Sequence, residues 1–187
     1  MISRDDKVVQ DLSGTPPANR LETAYAALGL NYPKFHKMDP QSRLGLLAAE
    51  VLLAGTGLRE RHAPDRIGVV LHNADASLDT DLRYAAGVQG TPSPSLFVYT
   101  LPNVVVGEVC IKNNFKGHNA FFIFGTYEPG FLHAHVREVL LSGMADACLC
   151  GWTEVLGDRQ EALLFLVERT AQGKAIPFTP AGLAQKF

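Results

Sequence analysis

The stretch from residue 113 to residue 154 constrains the fold most, because it has the pattern of a strand, a turn, a helix and a second strand. Residues 119–124 form a short apolar run with three phenylalanines, which predicts a buried strand. Apolar residues then recur at helical spacing until Ser142 and Gly143, which end the helix. A second buried run follows at residues 145–150. Two such strands around one helix predict a parallel, right-handed βαβ unit.

The turn between the first strand and the helix, at residues 125–130, is a place where many enzymes carry a nucleophile. A helix N-terminus offers unpaired N–H groups and a partial positive charge, which would lower the pKa of a cysteine there. The turn has no cysteine, and the nearest are Cys110 and Cys148. Thr126 is predicted to cap the helix, with Glu128 and a proline in its first turn. A nucleophilic threonine would need a nearby base, and the sequence identifies none.

Two earlier segments support the same kind of fold. Asp39 is a good N-cap in front of Pro40, and a broad apolar stripe at helical spacing follows. Residues 65–72 have the pattern of a buried strand. The polar segment after that strand, residues 73–81, is a candidate site loop, although an ordinary surface loop is the favoured interpretation.

The segment at residues 95–113 carries mixed signals. Its apolar spacing fits a helix, whereas a run of three valines favours a strand. We predict a helix that is kinked near Pro102. With a closing strand at residues 161–167, the chain is predicted to be an α/β protein whose mostly parallel sheet is covered by helices. The predicted organisation is an N-terminal arm with a short helix at 1–34 and one domain at 35–187.

The composition excludes several classes of partner. A net charge of −2 and an isoelectric point near 6.3 leave no basic footprint for nucleic acid or an anionic membrane. No apolar run approaches the roughly 20 residues that span a bilayer, and the charged N-terminus is unlike a signal peptide. Three cysteines are too few for a disulfide framework and suit a reducing cytoplasm.

The histidines and cysteines show no spacing typical of a metal site. Cys148 and Cys150 share one face of a predicted strand and are interpreted as buried structural thiols. His133 and His135 fall on different faces of the predicted helix, so we expect them at the surface rather than in one metal site. The sequence also lacks a serine-hydrolase elbow and a phosphate-binding loop, so neither metal nor cofactor is predicted.

Five segments, taken in order, resemble the N-terminal half of a β-ketoacyl-[acyl-carrier-protein] synthase, a member of the thiolase-like superfamily. The most specific is LFVYTLPN…GE…GHN, which is similar to the divergent ketosynthases of aryl-polyene and flexirubin-type pigment clusters. The matching segments are residues 35–53, 65–84, 92–119, 130–154 and 161–169. The resemblance implies a thiolase-like half-fold.

The resemblance also implies where a catalytic site would lie. The family's nucleophilic cysteine sits at the strand-to-helix turn, and its spacing from the glycine that matches Gly143 places it at Thr126. The family's two other catalytic residues lie in a C-terminal half that this chain does not reach. We therefore expect no independent condensing activity. The candidate substrate-pocket residues are Phe97, Thr126, Tyr127 and Glu128, of which Thr126 and Glu128 are the catalytic candidates.

Three functions remain open at this stage. The first is a non-elongating partner or chain-length-type subunit of fatty-acid or polyketide-type biosynthesis. It would bind acyl carrier protein and form a homodimer or a heterodimer with a full-length ketosynthase. The second is a 3-oxoacyl synthase, acyltransferase or malonyl decarboxylase that works with a partner chain. The third is a homodimeric module for an unrelated small ligand. In this superfamily the strand matching residues 119–124 commonly pairs across a two-fold dimer interface, which favours a protein partner.

Overall fold

A computed structural model describes residues 1–88, 90, 93–170 and 175–187. The remaining positions, 89, 91–92 and 171–174, fall in the predicted domain at 35–187, and that part of the prediction lies outside the described residues. The described ranges contain no helix that is long and apolar enough to cross a membrane. The strands and α-helices are β1 (Ile2–Arg4), β2 (Lys7–Gln10), α1 (Pro17–Ala27), α2 (Pro40–Leu53), α3 (Leu58–Arg61), β3 (Ile67–Asn73), α4 (Leu78–Gly87), α5 (Pro94–Val98), α6 (Val104–Asn113), β4 (Asn119–Ile123), α7 (Pro129–Leu141), β5 (Ala147–Leu156), β6 (Arg159–Glu168) and α8 (Pro180–Ala184).

A four-stranded sheet in the order β4–β3–β5–β6 forms the centre of the molecule. Strand β3 runs parallel to both β4 and β5, whereas β6 returns antiparallel to β5. Strands β1 and β2 form a separate antiparallel hairpin. The predicted α/β class with a mostly parallel sheet is confirmed. The strand predicted at residues 119–124 is present as β4, but it is half-buried or exposed and not buried, because it lies at the end of the sheet.

The two central strands are apolar on both faces, because each face is covered by helices. On one face, Val69 and Leu149 pack in a core cluster with Val105 of α6. On the other face, Val70 and Cys150 pack in a second cluster with side chains of α7. Every residue of β3 is consequently buried.

The N-terminal segment shares a third core cluster with helix α2. Tyr25 of α1 stacks on Phe35, with the ring centroids 4.2 Å apart. Leu46 of α2 is fully buried in the same cluster. The predicted arm at residues 1–34 therefore contributes side chains to the core that contains α2.

The start of α7 differs from the prediction. The helix begins at Pro129 and its N-cap residue is Glu128, whose backbone is not helical (φ −114°, ψ 78°). The prediction that Thr126 caps this helix is therefore wrong. The physical reason is the proline, since its ring disfavours the helical conformation for the residue before it. The C-terminal end is as predicted, with Gly143 at φ 77° directly after Ser142.

The prediction that residues 95–113 are helical is right, but the prediction that they form one continuous helix is wrong. The segment forms two helices, α5 and α6, and not one kinked helix. Pro102 lies in the turn between them, where its ring and missing N–H interrupt no helical hydrogen bond. The valine run opens α6, because Val105 and Val106 gain more by burial against the sheet than their strand preference costs.

The burial of the two thiols of β5 and of the two histidines of α7 tests two predictions from the sequence. Cys148 and Cys150 are fully buried on one face of the strand, which confirms the prediction. His133 and His135 contact different neighbours, as residues on different helix faces do. Both residues are partly exposed, with His133 packed against Phe178 and His135 packed against other aromatic rings.

The N-cap of α2 provides a first test of the fold. The Asp39 carboxylate accepts a hydrogen bond from the backbone N–H of Ser42 at 3.0 Å and one from the Thr80 hydroxyl at 2.9 Å. We expect Asp39→Ala to lower the free energy of unfolding by about 1–2 kcal/mol, because both donors lose their acceptor. Asp39→Asn keeps an acceptor oxygen and should recover most of the loss. Urea unfolding monitored by circular dichroism measures both variants, and equal stability of Asp39→Ala and the wild type would contradict the expectation.

Candidate functional site

The carboxyl ends of the central strands and the turn before α7 meet at one end of the sheet. The register of β3 and β5 places His72 directly opposite Trp152. The turn between β4 and α7 brings Tyr127 onto the same two side chains. Parallel strands commonly place ligand sites at their carboxyl ends, so this end of the sheet is the candidate functional site.

Four aromatic side chains, His72, Tyr127, Trp152 and Phe187, form the aromatic cluster of this site. The rings of His72 and Tyr127 are stacked with centroids 5.3 Å apart, and Trp152 meets His72 edge-on at 5.3 Å. Phe187 stacks on the outer side of Tyr127 at 4.6 Å. Tyr127 is only 8% exposed, because its ring is enclosed by the other three side chains.

His72 is a neutral, fully enclosed side chain. Its Nε2 accepts a hydrogen bond from the backbone N–H of Glu128 at 3.3 Å, which assigns the proton of the neutral ring to Nδ1. Burial lowers the pKa of His72 to about 4, and the Gly151 carbonyl and the Glu128 carboxylate only partly offset this effect. His72 is 1% exposed, so it positions the turn and does not reach a substrate.

The polar residues at the ends of β3 and β5 hold the loop that follows β3. The buried Glu154 carboxylate accepts hydrogen bonds from the backbone N–H groups of Ala74 at 2.7 Å and Asp75 at 3.2 Å. Asn73 donates to the carbonyl of Ala76 and accepts from its N–H. Burial raises the pKa of Glu154 although the two N–H donors favour the charged form. These contacts give the start of the predicted site loop at residues 73–81 a structural role. The prediction of a loop is wrong for residues 78–81, which form the first turn of helix α4.

The predicted site residues separate into two places. Thr126, Tyr127 and Glu128 lie together in the turn before α7, and the Thr126 hydroxyl donates to a Glu128 carboxylate oxygen at 3.2 Å. Thr126 and Glu128 are both exposed. Phe97 lies on α5, where its ring is 54% exposed and contacts Tyr84 with the centroids 5.5 Å apart. The assignment of these four residues to a substrate pocket stays a prediction.

No thiol is available for covalent chemistry at this turn. Cys110 belongs to α6, where burial raises the pKa of its thiol to about 11. Burial and the neighbouring Cys148 raise the pKa of the Cys150 thiol well above its usual value. Both cysteines of β5 are fully enclosed in the core under α7. Cys110 and Cys150 are therefore not reactive thiolates at neutral pH, and Cys148 is enclosed in the core and out of contact with solvent.

The chemistry that the site offers is limited to hydrogen bonding and a hydroxyl–carboxylate pair in water. Among the described residues, the hydroxyl of Tyr127 and the indole N–H of Trp152 are buried without a hydrogen-bond partner. Burial also raises the pKa of the Tyr127 hydroxyl, so it remains a neutral donor. The arrangement suits the binding of an acceptor group better than bond making.

Three members of this site, His72, Trp152 and Phe187, are not identified by the sequence alone. His72 is one of six histidines scattered along the chain, and its role depends on its register against Trp152. A usable signal was present, since both residues come near the carboxyl ends of predicted buried strands. Phe187 carried no such signal, because its contact with Tyr127 depends on the path of the C-terminal segment.

Comparison with known proteins finds a matching family model for the chain. The sequence matches the family model "Beta-ketoacyl synthase, N-terminal domain" over residues 22–174, which is most of the chain. No curated protein matches the sequence.

Three solved structures have a similar fold. The ishigamide ketosynthase/chain length factor aligns with a TM-score of 0.61 and 20% identity, over 75% of this chain and 46% of the solved chain. AntDE:AntF (apo), a type II PKS acyl-carrier protein in complex with its ketosynthase bound to the hexaketide, aligns with a TM-score of 0.54 and 19% identity, over 81% and 41%. The ketosynthase ApeO in complex with its chain length factor ApeC from Xenorhabdus doucetiae aligns with a TM-score of 0.56 and 16% identity, over 97% and 76%. The chain thus spans less than half the length of the first two solved chains.

Proposed function

The chain belongs to the β-ketoacyl synthase N-terminal domain family, and on this premise we propose that it is a non-elongating subunit that pairs with a full-length ketosynthase. The observation that carries the proposal is the turn before α7. The position that the family resemblance assigns to the nucleophile holds Thr126, and the neighbouring Tyr127 ring is buried against His72 and Trp152. A subunit of this kind shapes or completes the site of its partner and forms no carbon–carbon bond itself.

The requirements of the condensation reaction support this proposal. Chain transfer needs a thiolate that takes up the acyl group and donors that stabilise the oxyanion. None of the three cysteines lies in the turn itself, and burial raises the pKa of the Cys110 and Cys150 thiols. Loss of a covalent nucleophile costs several orders of magnitude in rate. A role in a two-chain assembly accounts for a ketosynthase-type fold without that nucleophile.

The outer side of strand β4 offers a surface for the partner. Strand β4 stands at the end of the four-stranded sheet, and within the described ranges its outer side has no neighbouring strand. Ile123 at the end of β4 is 52% exposed, and Phe121 and Phe122 are half-buried. An open edge with apolar side chains is a template for pairing with another chain. The family resemblance assigns the two-fold interface to the same strand.

The wider role that we propose is a chain-length-type subunit of fatty-acid or polyketide-type biosynthesis in the cytoplasm, including the aryl-polyene and flexirubin type. The substrate would be presented by acyl carrier protein. Two of the similar structures pair a ketosynthase with a chain length factor, and the third contains an acyl carrier protein with its ketosynthase. Their low sequence identity with this chain shows the fold alone, so partner and substrate are parts of the proposal.

Association with a synthase is tested with one edge variant and a matched control. The Ile123→Arg variant places a charge on the open edge of β4, and Ile111→Arg places the same charge on α6, where the isoleucine is 64% exposed. Each protein is co-expressed with a panel of cysteine-bearing type II ketosynthases, and the complexes are measured by analytical ultracentrifugation. We expect a 1:1 complex that Ile123→Arg weakens about 100-fold and Ile111→Arg leaves intact. A stable self-dimer that binds neither synthase nor carrier protein would contradict the proposal and favour the small-ligand module.

The absence of independent chemistry is tested by intact mass spectrometry. The isolated protein is incubated with acyl-loaded and malonyl-loaded carrier protein, and decarboxylation is followed in the same samples. We expect no acyl adduct and no decarboxylation above the rate without protein. An adduct of one acyl group mapped to residues 125–130 would overturn the proposal.

One observation favours a second candidate function, an acyltransferase or malonyl decarboxylase that works with a partner chain. The Thr126 hydroxyl donates to the Glu128 carboxylate at 3.2 Å, which is the geometry of a nucleophile and its base. Both groups are exposed, so a partner would have to exclude water from the pair. Turnover by the complex that is lost in Thr126→Ala and in Glu128→Gln would support this function, whereas unchanged turnover would exclude it.

A further inference from the structure

Two histidines that are far apart in the sequence meet beside the open sheet edge. His118 precedes the first residue of β4, and His135 lies in the middle of α7. Their Nε2 atoms are 3.2 Å apart, and the ring centroids are separated by 5.3 Å. Both side chains are half-buried, so a small ion or water can still reach the pair.

Both histidines are held in place by their surroundings. The His118 carbonyl accepts a hydrogen bond from the backbone N–H of Val69 at 2.8 Å, which fixes the chain at the start of β4. The His135 ring is stacked on Phe131 with the centroids 5.7 Å apart, and Phe122 meets it edge-on at 4.9 Å. The pair is therefore preorganised and needs little ordering to bind a ligand.

We propose that His118 and His135 form a two-histidine binding site for Zn²⁺ or a similar late first-row divalent cation. Two nitrogen ligands at about 2.0–2.1 Å from a tetrahedral zinc ion lie about 3.3–3.4 Å apart. The observed separation of 3.2 Å is within the movement of a side chain from that value. Imidazole nitrogen is a good ligand for zinc, copper and nickel.

The remaining coordination positions belong to water or to a partner chain. No group of three or more histidine, cysteine, aspartate or glutamate side chains converges in the part of the chain that the structure describes. Two protein ligands alone make a site of moderate strength. The ion would join the start of β4 to α7, so it should stiffen the strand that carries the open edge.

A hydrogen bond between two neutral rings gives the same distance between the Nε2 atoms. The pair can change from this hydrogen-bonded state to the ion-bound state. In that bond one Nε2 carries a proton and donates it to the other Nε2. When the ion binds, both Nε2 atoms must present a lone pair. The donor ring then carries its proton on Nδ1, so no net proton is released from a pair of neutral rings. This site is independent of the proposed function, because it uses neither the turn before α7 nor a synthase partner.

The test is zinc titration of the full chain by isothermal calorimetry, with His118→Asn, His135→Asn and, as matched control, His133→Asn on the same helix. We expect one zinc ion per chain, a loss of affinity of at least about tenfold in the first two variants and unchanged affinity in the control. Circular dichroism establishes that each variant is folded. Absence of binding by the wild type, or binding that survives both substitutions, would overturn the proposal.

Copper provides a second readout that separates imidazole from thiolate ligands. The electron paramagnetic resonance spectrum of the Cu²⁺-loaded protein should show coupling to two nitrogens, which falls to one or none in either variant. Zinc should also raise the melting temperature of the wild type and the His133→Asn protein. It should leave the melting temperature of His118→Asn and His135→Asn unchanged. A sulfur-ligated copper spectrum would assign the ion to a cysteine and contradict the site.

Discussion

The Gly151→Ala protein is expected to lose about 3 kcal/mol or more of its free energy of unfolding, because alanine fits neither the backbone nor the space at this position. Gly151 lies in β5 with φ 150°, a conformation that side chains with a Cβ rarely adopt. An added Cβ would lie 2.0 Å from the Leu163 carbonyl oxygen and 2.9 Å from the Leu164 Cα. Both obstacles are backbone atoms of β6, so the two strands would have to separate.

Gly130→Ala is the matched control for this prediction. Gly130 lies in α7, and an added Cβ meets nothing within 4 Å. Alanine is the better helix former, so the control should be neutral or up to about 1 kcal/mol more stable. Urea unfolding followed by circular dichroism gives both values. A Gly151→Ala protein within about 1 kcal/mol of the wild type would show that β5 and β6 do not approach as closely as the structure has them.

The second large effect is a loss of stability in mild acid that depends on His72. Burial lowers the pKa of this ring from 6.5 to about 4 in the folded protein. Between these two pH values the unfolded chain binds a proton that the folded chain does not, so acid favours unfolding. The contribution of His72 to stability is complete above about pH 6.5 and is lost as the pH falls towards 4. The full shift corresponds to about 3 kcal/mol.

His72→Gln isolates this effect, because glutamine does not titrate and its side-chain oxygen can still accept from the Glu128 N–H. Asp39 and Glu154 act in the opposite direction, since burial raises the pKa of both carboxyls and the folded state then holds their protons more readily. Their contribution is common to both proteins and cancels in the comparison. Unfolding free energies are measured in urea from pH 7.5 to 4.5. Parallel pH profiles of wild type and His72→Gln would contradict the assignment.

The βαβ unit of β4, α7 and β5 and the start of helix α2 could be predicted because their sequence signals are local. Strand β3, helix α7 and the N-cap at Asp39 follow from periodicity and from residues next to the element. The predicted cap at Thr126 failed because two local signals compete there. Threonine favours a cap, and Pro129 fixes the helix start two residues further on than that cap requires.

The site was predictable only in part, because its members come from separate elements. Thr126, Tyr127 and Glu128 are neighbours in the sequence, so the strand-to-helix turn and the family resemblance identify them together. His72 and Trp152 meet through the register of two strands that are distant in the sequence. Register depends on how the whole sheet packs against its helices, and no local pattern reports it.

The sequence by itself determined the class of the fold, the family and the absence of a thiol at the turn before α7. These features depend on composition, on periodicity and on residue identity at one position. Only the tertiary structure decided that Tyr127 packs on His72 and Trp152, that β4 stands at an open edge and that His118 meets His135. The reason is physical, since the packing of strands and helices brings distant residues together, and spacing along the chain contains no record of those distances.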